Sequence, residues 1–214
     1  MTLSNQERSR RTKQLISAWL RRVGEPLVIV ALGLPALQLA YDSFWGAFIA
    51  DPFPPATRIS GIWGMRLLVA GLAVTPIARL TGLPGIIRFR RPVGLWAAAY
   101  SVGHFAIWSM DYGFDLGLIT TEILRLRYLF VGFIATVLLV PLAATSFNAA
   151  IRWVGGRNWR RLHWLVYPSV LLALWHMATA GRLSGIDFTI MSVVTGLALL
   201  WRIVRALPKP SVAR

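Results

Sequence analysis

The chain has three histidines, His104, His163 and His176, and all three lie inside apolar stretches long enough to form helices. An imidazole in a bilayer interior costs free energy unless something binds it. The sequence has no cysteine and no acidic residue close to these histidines, so the ligand sets typical of zinc match poorly. Heme iron held between helices by histidine nitrogens matches better, provided that these stretches cross a membrane.

The composition is that of a protein with several membrane spans. Of the 214 residues 56% are hydrophobic, and the mean hydropathy is +0.59, yet the formal net charge is +15. A soluble domain of this size rarely combines these values. The predicted fold is an all-α, six-helix transmembrane bundle that binds heme between its helices. Each span must cross about 30 Å of hydrocarbon, and we place the six near residues 24–41, 61–78, 93–110, 128–146, 162–180 and 186–204.

The charged residues predict the topology of this bundle. Of the 23 Lys and Arg residues, 18 fall before the first span, at or after the end of the last span, or in the second and fourth loops. By the positive-inside rule these segments are cytoplasmic. The opposite face is acidic, with six of the eight carboxylates: Asp42, Asp51, Asp111, Asp115, Glu122 and Asp187.

The segments outside the spans are short. We predict a basic cytoplasmic segment over residues 1–22, a six-helix transmembrane domain over 23–206 and a cytoplasmic tail over 207–214, with no cleavable signal peptide and no internal repeat. The lack of cysteine excludes disulfides, iron–sulfur ligation and thioether-attached heme. The basic residues flank the spans, so they match anionic lipid headgroups better than nucleic acid.

Depth along the helices predicts that His104 and His176 form a pair. The third and fifth spans both run outward, and His104 lies about 17 Å and His176 about 21 Å from the start of its span. Two imidazoles at one level on neighbouring helices can supply both axial ligands of a heme. Small residues precede each histidine at the same offsets, which would let a porphyrin lie close, although small residues also mark ordinary helix packing. These residues are Ala97 and Ser101 before His104, and Ser169 and Ala173 before His176.

His163 has several possible roles. It lies about 20 Å below His176 on an ideal helix, which places it at the cytoplasmic side. There it can bind a second heme with a non-histidine partner, contact a propionate, a quinone or a flavin, or have no ligand. Pro168 lies between the two histidines and is expected to kink the fifth helix.

Arg66 is the one Lys or Arg residue in the interior of a predicted span, since Arg202 lies at the very end of the last span. It can pair with a heme propionate in the outer half of the bundle, or its long side chain can reach the periplasmic interface. The sequence leaves both readings open.

Three stretches make the chain recognisable. They are GLWAAAYSVGH at 94–104, WRRLHWLVY at 159–167 and LAVTPIARLTG at 72–82. They resemble the heme-binding membrane subunit of the bacterial periplasmic protein-methionine-sulfoxide reductase system, within the ferric-reductase-like transmembrane superfamily. The resemblance covers about residues 20–180, and the spacing of the histidines is its most specific part.

The resemblance implies a cytochrome that contains one or two b-type hemes and carries electrons across the inner membrane, and it implies FMN as a further cofactor. The donor would be the quinone pool or a cytoplasmic flavin reductase. The acceptor would be a periplasmic molybdenum-cofactor reductase that repairs oxidised methionines. The chain would then be the electron-transfer subunit of an oxidoreductase and would not touch the sulfoxide itself.

Residue by residue, the resemblance places His104 and His176 at the heme ligands and His163 at a third essential histidine. Arg90 falls where other members of the superfamily have a second histidine on the third span. Trp164, directly after His163, and Trp175, directly before His176, depart from the family pattern. Trp164 lies where the resemblance implies the cytoplasmic donor or FMN site.

Two other functions fit the same sequence. A stand-alone ferric or cupric reductase would reduce external metal without a protein acceptor. A small transporter would use the buried histidines as proton relays, although the only carboxylates within the predicted spans, Glu25 and Asp187, lie at the span ends.

Overall fold

The computed structural model describes residues 12, 14–16, 18–180 and 186–207, and in these ranges it contains helices and no strand. The predicted all-α class is therefore confirmed. After a π-helical turn at Leu20–Gly24 and among short 3-10 segments, the α-helices are α1 (Glu25–Phe44), α2 (Phe53–Leu80), α3 (Arg90–Asp111), α4 (Leu116–Arg125), α5 (Arg127–Ala144), α6 (Asn148–Val154), α7 (Gly156–Leu162), α8 (Val166–Thr179) and α9 (Ile186–Ala206). Most of the predicted basic segment and nearly all of the tail lie outside the described residues.

Several of these helices are suited to a membrane. In the described part of the chain four are long and apolar enough to cross a bilayer: Arg22–Phe44, Phe53–Leu80, Arg127–Ala144 and Ile186–Ala206. The predicted third and fifth spans correspond to α3 and α8, which are not among the four. The outer faces of α1 and α9 display large apolar side chains, as lipid contact requires; they include Leu27, Leu34, Leu37, Leu197 and Leu200.

The second helix is longer than the sequence predicts. α2 begins at Phe53, eight residues before the predicted start of the span at residue 61. Pro54 and Pro55 lie in its first turn, where a missing N–H costs no hydrogen bond and the fixed φ favours the helix. The apolar pattern of the sequence predicted residues 61–78 of this helix. It did not predict the eight residues before them, which include two prolines and Arg58.

The predicted fifth span is not one continuous helix. The α-helix starts at Val166, after α7 and a 3-10 turn at His163–Leu165. Pro168 has no N–H to donate to the carbonyl four residues earlier, and this missing hydrogen bond favours the change from α-helix to a 3-10 turn before it. His163 and His176 are therefore on different elements, and the kink expected within one helix is instead a helix boundary.

The core lies where α2 and α3 pack together and meet α8 and α9. α2 packs most closely against α3, and α5 packs most closely against α8. Leu72, Ala97 and Val170 are almost completely buried at the centre of this packing. These two helix pairs support the functional site described below.

Arg202 compensates for a proline inside α2. Pro76 cannot donate to the Leu72 carbonyl, and Arg202 of α9 donates to that oxygen instead, with Nη2 at 2.8 Å. Its Nη1 also donates to the Ala198 carbonyl at 2.6 Å, and its guanidinium lies 5.8 Å from the ring centroid of Tyr167. One side chain therefore joins α2, α8 and α9.

We expect Arg202→Gln to lower the free energy of unfolding by about 1–3 kcal/mol, because a buried carbonyl loses a charged donor. In a Pro76→Ala background the helix supplies its own donor to Leu72, so the cost should fall by about 1 kcal/mol. Denaturant unfolding of the wild type, both single variants and the double variant in detergent measures this coupling. Additive effects would show that Arg202 does not compensate for the N–H that Pro76 lacks.

Candidate functional site

A cavity of about 520 Å³ lies between α2, α3, α5 and α8, and the start of α9 closes one side. Its volume is in the usual range for a cofactor or ligand site. One end is apolar and includes Met65, Leu68 and Leu139. The other end, which we call the rim, carries the charged side chains Arg58, Asp111 and Asp187. The site is thus amphipathic along its length.

His104 and His176 face each other in this cavity. Their ring centroids are 6.1 Å apart and the ring planes are inclined by 75°. Two imidazoles on opposite sides of one metal ion need a centroid separation of about 6 Å, since each metal–nitrogen bond is about 2 Å long. The described residues contain no group of three or more His, Asp or Glu side chains able to hold a metal ion. The arrangement therefore fits a metal that needs two protein ligands, which is the case for heme iron.

Each histidine ring is oriented by a backbone carbonyl of the neighbouring helix. His104 Nδ1 lies 2.7 Å from the Thr57 carbonyl oxygen, and His176 Nδ1 lies 2.7 Å from the Tyr128 carbonyl oxygen. A carbonyl only accepts, so Nδ1 must carry the proton in both rings. Nε2 then keeps its lone pair, which is the form that binds a metal.

A glycine lies under each ring. A Cβ atom added to Gly61 would lie 2.8 Å from His104 Nδ1, and one added to Gly132 would lie 2.6 Å from His176 Nδ1. Neither distance is compatible with a real side chain. The two glycines are therefore required by the close approach of the imidazole to the neighbouring backbone.

The two halves of the site repeat one arrangement. Thr57 precedes Gly61 by four residues, and Tyr128 precedes Gly132 by four residues. In each half, one helix supplies a carbonyl and a glycine, and the helix packed against it supplies the histidine. The sequence shows no repeat here because the shared features are backbone groups and small residues.

The small residues near the histidines have mixed positions. Ser101, Ser169 and Ala173 line the cavity, whereas Ala97 is fully buried and is not part of the lining. The Ser169 hydroxyl donates to the Ala135 carbonyl at 2.9 Å, so this hydroxyl is already satisfied. Three of the four predicted small residues thus make room in the cavity.

His163 and Arg90 lie away from this cavity. The His163 ring packs on Trp159 with the centroids 3.9 Å apart, and its Nδ1 lies 3.0 Å from the Trp159 carbonyl oxygen. Arg90, at the start of α3, is near enough to interact electrostatically with His163 and Arg202. Neither His163 nor Arg90 lines the cavity. The structure therefore groups these two residues with Arg202 and does not bring them to His104 and His176.

Arg66 has a partner that the sequence did not indicate. Its Nη2 lies 2.6 Å from Asp187 Oδ2, and its guanidinium lies 5.1 Å from the ring centroid of Trp63. Arg66 does not line the cavity, whereas Asp187 does. The ion pair joins α2 to the first turn of α9, and the positive charge of Arg66 is matched within the protein.

Sequence reasoning missed the two glycines, the two carbonyl acceptors and Arg58. A weak signal for the glycines was present, because each is followed three residues later by another small residue, Gly64 or Ala135. The carbonyl acceptors had no signal, because any residue type presents a carbonyl.

The sequence matches the family described as ferric reductase like transmembrane component over residues 60–174. The protein-methionine-sulfoxide reductase heme-binding subunit MsrQ of Ralstonia nicotianae is 39% identical over 189 residues, which cover 85% of this chain and 87% of that protein. The chain belongs to this family of heme-binding subunits.

Other members of the MsrQ family are similarly close. The subunit of Polaromonas naphthalenivorans is 38% identical over 86% of this chain and 85% of its own length. That of Caulobacter vibrioides is 36% identical over 83% of this chain and 85% of its own length. The names of these relatives specify heme and do not mention a flavin, so FMN binding stays a prediction. The recognition made from the three sequence stretches is confirmed.

Proposed function

We propose that this chain is a b-type cytochrome that forms the membrane subunit of a methionine-sulfoxide reductase system. The facing pair His104 and His176 carries this proposal, because both rings have Nδ1 bound to a carbonyl and Nε2 available for a metal. The relatives named as heme-binding subunits of protein-methionine-sulfoxide reductase support the same conclusion.

His104 and His176 would hold the heme through Nε2, and Gly61 and Gly132 would allow both rings to approach the neighbouring helices. A bound heme would supply one-electron chemistry at a potential set by its two ligands and its surroundings. The Thr57 and Tyr128 carbonyls hold each imidazole in the required tautomer and raise its basicity as a ligand. The apolar side chains of Leu68 and Leu139 at the inner end of the cavity offer water no hydrogen-bond partner.

In the full proposal six helices span the bacterial inner membrane, with both termini cytoplasmic. Electrons enter from the quinone pool or a cytoplasmic flavin reductase, and they leave to a periplasmic molybdenum-dependent reductase that repairs oxidised methionines. The group around His163, Arg90 and Arg202 lies at the end of the bundle where electrons would enter. A second heme or a donor site would bind there. The uneven distribution of Lys and Arg supports this orientation.

The experiment that tests this proposal is a pyridine hemochrome assay with oxidised and dithionite-reduced spectra on protein purified in detergent. We expect b-type heme with a low-spin spectrum, as two histidine ligands produce. His163→Ala should keep this heme, and any separate fraction that it loses would belong to a second site. A wild type that remains colourless after expression with ample heme would refute electron transfer and favour the transporter.

A further inference from the structure

Among the described residues, the rim of the cavity has one cation, Arg58, without a carboxylate partner. The ion pairs among the described residues are Arg66–Asp187 and Arg125–Glu122, and Arg58 takes part in neither. No hydrogen bond of the Arg58 side chain occurs among these residues either. Arg58 nevertheless lines the cavity, one residue after Thr57, whose carbonyl orients His104.

The charges of the rim make Arg58 the available counter-charge. Asp187 is matched by Arg66 at 2.6 Å, and Asp111 has no ion-pair partner in the described chain. Arg127, another cation at this end of the bundle, begins α5 but does not line the cavity. An anionic group that enters the cavity therefore meets Arg58 as its single unpaired guanidinium among the described residues.

The two ends of the cavity determine how an amphipathic ligand would lie. Met65, Leu68 and Leu139 line the inner end, where a carboxylate would be buried without a partner at high cost. At the rim, a carboxylate can bind a guanidinium through two parallel hydrogen bonds. The two histidines lie between these ends, at the level where a metal would be held.

From this arrangement we propose that Arg58 is the positioning residue that binds the carboxylates of the tetrapyrrole and directs its anionic edge toward the rim. This inference rests on the proposed function, because it presumes that the cavity holds heme. The sequence suggested Arg66 as a partner of a heme propionate. Because Arg66 forms an ion pair with Asp187, we assign this role to Arg58 instead.

The test compares iron protoporphyrin IX with its dimethyl ester, in which both carboxylates are blocked. Each is titrated into detergent-purified apoprotein, and the absorbance of the bound form gives the dissociation constant. We expect wild type to bind the acid about ten- to a hundredfold more tightly than the ester. Arg58→Gln should weaken the binding of the acid by about the same factor. It should leave the dissociation constant of the ester unchanged. Arg58→Lys should recover part of the preference, because the charge remains.

Arg127→Gln is the matched control, since it removes a cation from the same end of the bundle but not from the cavity. It should leave the preference for the acid unchanged. Equal binding of acid and ester by wild type would overturn the role of Arg58 while heme binding itself stands, and so would a full preference retained by Arg58→Gln. Loss of the preference in Arg127→Gln would show that general charge, and not Arg58, is responsible. Failure of wild type to bind either compound would refute the proposed function as well.

Discussion

His104→Ala and His176→Ala are each expected to abolish the heme of the central cavity. Each substitution removes one Nε2 ligand, and the remaining ring cannot move to the other side of the site because its Nδ1 is held by a carbonyl at 2.7 Å. Loss of a residue that only hydrogen-bonds a ligand typically lowers affinity by about 10- to 100-fold. Loss of the ligand itself should lower the heme affinity by more than this. Heme content per protein and the reduced-minus-oxidised spectrum measure this loss.

A conservative variant separates ligation from folding. His176→Met keeps a side chain able to bind iron, and a Met/His pair raises the reduction potential relative to two histidines. We expect this variant to retain heme with a higher midpoint potential, whereas His163→Ala should retain the central heme unchanged. Full heme content with an unaltered spectrum in His104→Ala would show that the facing pair is not the ligand pair.

The pairing of His104 and His176 illustrates what the sequence can predict about this site. Depth is a linear quantity along a helix, so counting residues from the start of the third and fifth spans placed both histidines at a similar level. The structure has their ring centroids 6.1 Å apart. Hydropathy and charge depend on residue type alone, so the sequence was sufficient to predict the spans and, from them, the depth of each histidine.

The contacts that orient the rings could not be predicted in this way. The acceptors are the carbonyls of Thr57 and Tyr128, and a carbonyl is the same for every residue type. Only the packing of α2 against α3, and of α5 against α8, determines which carbonyl faces which histidine. Once this packing is known, Gly61 and Gly132 can be identified as the positions where the imidazole rings approach the backbone too closely for a side chain.

Arg66 and His163 show where one-dimensional reasoning fails. Arg66 pairs with Asp187, a residue far along the chain, and no local pattern indicates that contact. The apolar pattern predicts His163 on the same helix as His176, but a 3-10 turn at His163–Leu165 precedes the start of α8 at Val166. In both cases a tertiary contact or a helix boundary determined the surroundings of a residue whose depth was estimated from its sequence position.

Gly61→Ala and Gly132→Ala are expected to weaken the heme site although neither residue is a ligand. The new Cβ atom would lie 2.8 Å from His104 Nδ1 or 2.6 Å from His176 Nδ1, so the ring must tilt or move away. The hydrogen bond to the Thr57 or Tyr128 carbonyl is then lost, and the imidazole becomes a weaker donor. We expect heme affinity to fall by about 10- to 100-fold in each variant. The fraction that still binds should have a raised midpoint potential, because a weaker donor stabilises the ferric form less.

Gly103→Ala provides a matched control for both variants. Gly103 is adjacent to His104 in α3, but a Cβ atom there would meet nothing within 4 Å. This substitution should leave the heme spectrum and potential unchanged and stabilise the helix by about 0.5–1 kcal/mol. Because the two halves of the site have the same construction, Gly61→Ala and Gly132→Ala should act in the same direction, with the larger effect at Gly132, where the contact is shorter. Wild-type affinity and potential in both variants would mean that the rings have room to move, and that the carbonyl contacts do not set the ligand geometry.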